Sequence, residues 1–78
     1  MPTVLRIGPY RFFFYSREGT EPPHIHIAAA EKVAKYWLEP VSLAMNDRFR
    51  SGELAELEAL TIEHQRLFLE TWHAYFKR

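Results

Sequence analysis

His24 and His26 are the residues best placed to do chemistry in this chain. They stand one residue apart in the run EPPHIHI, Glu21 to Ile27, directly after a double proline. Proline holds the residue before it extended, so the pair should open a β-strand. Alternate strand residues share a face, which puts the two α-carbons about 6.5–7 Å apart on one side. At that separation two imidazoles can share a divalent metal such as zinc, or a phosphate. Zinc takes three or four ligands drawn from His, Cys and carboxylates, and the remaining candidates are Glu18, Glu21, His64 and His73, none at a diagnostic spacing. The same pair could instead work as a metal-free acid and base on RNA, with Lys35 or Arg17 neutralising the phosphate and Trp37 holding the substrate. No motif in the sequence calls for a cofactor. There is no glycine-rich phosphate loop, no G-x-S-x-G and no H-E-x-x-H, so the common nucleotide, hydrolase and metalloprotease classes lose their usual signatures.

The elements that must carry these side chains are legible from punctuation and periodicity. The short β-branched run Thr3 to Ile7, a Gly8-Pro9 turn and the aromatic run YRFFFYS read as a hairpin. A polar loop, REGTEPP, leads to a third strand, HIHIAAA. A turn near Glu31-Lys32 leads to a fourth, VAKYWLEP, which Pro40 stops. The segment VSLAMN is either a fifth strand or a first helical turn. From Ser51 on there is no proline; Ser51 can cap, Glu53 suits the positive first turn, and Lys77-Arg78 suit the negative end. One helix over residues 51–78 would be about 42 Å long, too long for so small a domain, so a kink or break is expected near Thr61. Leu54, Leu57, Leu60, Leu67, Phe68 and Tyr75 form one apolar stripe, and Ile62, Leu69, Trp72 and Phe76 lie on another side. The expectation is an α+β domain over residues 1–78. Its N-terminal antiparallel β-sheet (residues 1–45) has four to five short strands, and a C-terminal helix or kinked helix pair (residues 51–78) packs on one face.

Alternation then sorts the strand residues into two faces. Tyr10, Phe12, Phe14, Ile25, Ile27, Ala34, Tyr36 and Leu38 form an apolar set that should meet the helices. The opposite face collects Arg11, Phe13, Tyr15, Arg17, His24, His26, Lys35 and Trp37, a cationic and aromatic surface. Such a surface is either a half-wet face of packed rings and aliphatic stems or a recognition surface, with Arg11, Tyr15, Arg17, Lys35 and Trp37 gripping RNA or a protein partner. On this assignment the histidines are exposed, and Trp37 is less buried than its size would suggest.

Composition sets the outer limits. The 78 residues carry ten basic and ten acidic side chains, so no global field draws the chain to nucleic acid. The charge is uneven: residues 1–17 hold Arg6, Arg11 and Arg17 without an acid, while residues 51–70 hold five glutamates against Arg66. Hydrophobic residues make up 47% of the chain, enough for a core that could still lean on a partner or a second copy. Without cysteine there is no disulfide framework, which fits a reducing compartment and makes the cytoplasm the expected location. The N-terminus lacks the pattern of a leader, and no apolar run is long enough to suggest a membrane span.

The combination MPTVLRIGPYRFFFYS, EPPHIHI, AKYWLEPV and ETWHAYF resembles a family of small bacterial proteins known as a domain of unknown function. The matching positions are Met1–Arg6, Glu21–Ile27, Ala34–Leu38 and the helical tail Ser51–Phe76. The alanine run Ala28–Ala30 departs from the more polar strand end expected there. The resemblance implies one half of a two-gene unit similar to a toxin-antitoxin module, and hence binding to the product of an adjacent gene. It implies no catalytic residues.

Overall fold

The computed structural model describes residues 3–77; Met1 and Pro2 of the N-terminal motif and the terminal Arg78 lie outside the described residues. Five strands, β1 (Thr3–Ile7), β2 (Tyr10–Phe13), β3 (His24–Ala29), β4 (Lys32–Leu38) and β5 (Val41–Asp47), are followed by two helices, α1 (Ser51–Glu63) and α2 (Gln65–Tyr75). The strands form one antiparallel sheet in the order of the chain. Its β1–β2 turn runs through Gly8 at φ 54°, a conformation that favours glycine. VSLAMN is therefore strand rather than helix. β5 pairs with β4 from Leu38↔Val41 to Val33↔Asp47, with a bulge that leaves Ala44 out of register.

The apolar set meets the helices as its alternation requires. Tyr10, Phe12, Phe14, Ile25, Ile27, Ala34, Tyr36 and Leu38 are buried in one cluster with Leu57, Phe68 and Trp72 from the helices. Phe12 stacks on Phe68 at 5.3 Å between ring centroids, and Phe14 meets Trp72 edge-on at 5.4 Å. Burying each large apolar side chain contributes about 1.5–3 kcal/mol. Polar ties fix the helix positions. The Tyr36 hydroxyl donates to the Leu54 carbonyl at 2.8 Å, and the Gln65 amide donates to the Leu38 carbonyl at 2.6 Å.

Three details of the helical segment differ from expectation. The helix starts from Arg50, whose N–H donates to the Glu53 carboxylate at 2.9 Å, so Ser51 lies inside the first turn. The break falls at His64, three residues beyond Thr61, and keeps the longest dimension of the molecule to 37 Å. It also turns α2 relative to the stripe of α1. Trp72 and Phe68 therefore reach the core while Leu67 and Tyr75 stay exposed, because a single helical wheel cannot be extended through a bend.

Candidate functional site

The strand register places the chemistry-bearing residues side by side. His24 lies opposite Trp37, His26 opposite Lys35, and Phe13 opposite His26. The side chains add contacts along this row. Phe13 stacks on the His26 ring at 5.4 Å, Arg11 lies 4.2 Å over Phe13, and the Lys35 ammonium lies 4.6 Å over the Trp37 ring. Trp37 is half-buried, as expected for this face.

The histidines, however, are not exposed: His24 is 0% and His26 6% accessible. β2 ends at Phe13, and the chain from Phe14 to Pro23 leaves the sheet and brings Tyr15 and Glu18 over the histidines. The Tyr15 ring sits 4.8 Å from His26. Glu18 accepts the Tyr15 N–H at 3.0 Å, which fixes its own turn. Strand alternation cannot foresee this cover, because it rises from a segment with no period. At His24, the first residue of β3 and so at the end of the sheet, Trp72 of α2 also reaches round to 4.7 Å from its ring. Arg17, predicted to continue the face, is exposed in a turn. Tyr15 is 46% accessible.

Glu18 is the residue that gathers the site. Its carboxylate accepts from His26 Nε2, 3.1 Å from Oε1 and 3.0 Å from Oε2. Its Oε1 also stands 2.9 Å from His24 Nε2. On the other edge of that ring, Nδ1 donates to the Pro22 carbonyl at 3.0 Å, a bond set up by the extended double proline. Ligand atoms of Glu18, His24 and His26, one from each, lie within 4.8 Å of one another. Of the other metal candidates, Glu21 pairs with Lys35 at 2.8 Å and stands 3.8 Å from His24 Nδ1. His64 packs at the helix break with Nδ1 on the Leu60 carbonyl, and His73 is exposed on α2.

Electrostatics follow this geometry. Burial pushes the His26 imidazole below its ordinary pKa, and the Glu18 carboxylate only partly offsets it. Burial raises the Glu18 carboxyl, but the close approach of His24 and the hydrogen bonds from His26 and the Tyr15 N–H outweigh it and hold the pKa below the usual value. The balance favours an ionised Glu18 beside a neutral His26. A cavity of about 440 Å³ opens nearby, lined by Gly19, Pro23, Trp72, His73, Phe76 and Lys77; it adjoins the neighbours of Glu18 and His24 in sequence. An acid–base role on RNA needs a ring nitrogen at the surface, and His24 reaches it only if the Phe14–Pro23 segment moves.

The open part of the molecule lies elsewhere. β5 is an outer strand of the sheet, and six of its seven residues are exposed, Leu43 at 44% and Met45 at 41%. Among the described residues no helix is long and apolar enough to cross a membrane. In comparison with known proteins, residues 10–73 match a family model described as Domain of unknown function (DUF4160). No curated protein and no solved structure matches the chain.

Proposed function

With that match spanning most of its length, the chain belongs to the DUF4160 family, and from this premise we propose that it is the binding half of a toxin-antitoxin-like two-protein module. It takes up a neighbouring small protein by pairing β5 with an extended segment of that partner. The observation that carries this reading is the open β5 edge. A strand edge presents unpaired N–H and C=O groups, and natural proteins usually protect long edges with lysine, proline, a bulge or a covering element. Between Val41 and Asp47 there is neither lysine nor proline, the bulge at Ala44 interrupts only the middle of the strand, and Leu43 and Met45 add apolar side chains to the free backbone. Main-chain pairing of this kind supplies affinity, and pockets for alternate side chains supply specificity. The opposite edge, β1, is shorter, and its Val4, Leu5 and Ile7 pack against the core.

The test is co-expression of this chain with the product of the adjacent gene, only one of the two being tagged. The pair should co-purify at equal stoichiometry. Leu43→Lys and Met45→Lys, surface changes expected to alter stability by no more than about 0.5 kcal/mol, should each weaken the complex by about 2 kcal/mol. Absence of co-purification, or a complex that tolerates both lysines together, would remove the proposal. A chain that instead elutes as a homodimer sensitive to the same lysines would assign the edge to self-association.

A further inference from the structure

We propose that Glu18, His24 and His26 form a binding site for one divalent transition-metal ion of the zinc or ferrous class. This site is independent of the partner edge. The first ground is the arrangement of donors. Two imidazoles at alternate positions of one strand and one carboxylate from the turn above make a two-histidine, one-carboxylate set. That set suits zinc with an open fourth position, or ferrous iron with three facial ligands.

The second ground is the state of His24. Because a carbonyl can only accept, Nδ1 carries a proton in the bond to Pro22, which leaves Nε2 as the ring atom able to bind a metal. That nitrogen is fully buried and faces a carboxylate oxygen at 2.9 Å. The two atoms are not aligned for a hydrogen bond, and Nε2 has no hydrogen-bond partner among the described residues. A buried nitrogen and a carboxylate oxygen this close, with no aligned hydrogen bond between them, suit a shared cation.

The geometry also explains the misalignment. Two ligands bound about 2.1 Å from one metal at right angles stand about 3.0 Å apart, and each lone pair then points about 45° off the line joining them. Glu18 Oε1 lies 2.9 Å from His24 Nε2 and 3.1 Å from His26 Nε2. The orienting bond is present too: a metal-binding histidine typically donates its other ring N–H to a carbonyl or carboxylate, as Nδ1 of His24 does to Pro22. On binding, the ring proton of His26 passes from Nε2 to Nδ1, and Glu18 remains ionised.

The experiment uses the untagged full-length chain, stripped with chelator and titrated with Zn²⁺ and with Co²⁺. The expected result is one ion per chain, visible d–d absorption for Co²⁺, and zinc binding at least about tenfold weaker in Glu18→Gln, a variant whose fold is checked by circular dichroism. His73→Ala should bind like the wild type. In histidine-selective NMR of the wild type, zinc should shift the ring resonances of His24 and His26 and leave those of His64 and His73 in place. This readout holds even if Glu18→Gln fails to fold. Failure of the folded wild type to bind zinc would overturn the proposal, as would binding unchanged in folded Glu18→Gln or zinc-induced shifts confined to His64 and His73.

Discussion

Trp37 and Trp72 show how differently two large rings can be held around one small residue. Both flank His24, at 5.7 and 4.7 Å, yet Trp72 is 3% accessible and seated against Phe14 and Phe76. Trp37 is half-buried beneath the Lys35 ammonium. Truncating the first should open a cavity and cost about 3–5 kcal/mol; truncating the second should cost only about 1–2 kcal/mol. Denaturant unfolding of Trp37→Ala and Trp72→Ala measures both, and equal losses would mean that Trp37 is core. Of the site itself, the strand half was legible. His-x-His after a double proline fixed a shared side, and the register bears that out. The third member was visible only as one name among four, because Glu18 arrives through the path of a turn, which neither period nor spacing encodes. Burial of the pair was missed for the same reason.

At the scale of elements, α1 is tied to the sheet at its start, and the tie depends on charge. The Lys32 ammonium of β4 bonds Glu53 at 2.6 Å. The Glu53 carboxyl is held below its ordinary pKa first by the Arg50 N–H, then by Lys32. A carboxyl whose folded pKa is depressed contributes stability above its unfolded value, 4.5 here, and loses that contribution as pH falls through the folded value. Glu53→Gln should therefore melt below the wild type near neutral pH, with the gap closing under acid. A gap that stays constant down to low pH would mean that the charge contributes nothing. Residue patterns foretold a kink or break, since a helix of 28 residues would overrun the domain, but left one helix or two open and did not say which turn bends. His64 breaks the helix and redirects Trp72 inward, a decision taken by packing against Phe14 and His24 rather than by the helical sequence alone.

Over the whole molecule, one sheet face is covered by helices and the opposite face is partly closed by the Phe14–Pro23 segment, which leaves β5 as the long open margin. The sequence left VSLAMN undecided because a short apolar run suits strand and helix alike, and pairing with β4 decided it. The central claim is that a partner strand completes the sheet along β5. Amide hydrogen exchange tests it most directly, because amides that gain a strand neighbour become protected and others do not. In the free chain, the β5 amides not bonded to β4 should exchange fast. In the complex with the adjacent gene product they should slow by at least about tenfold, which corresponds to about 1.4 kcal/mol, while exchange in β1 is unchanged. Slowing confined to the helices or to β1, with β5 still fast in the assembled complex, would contradict the account.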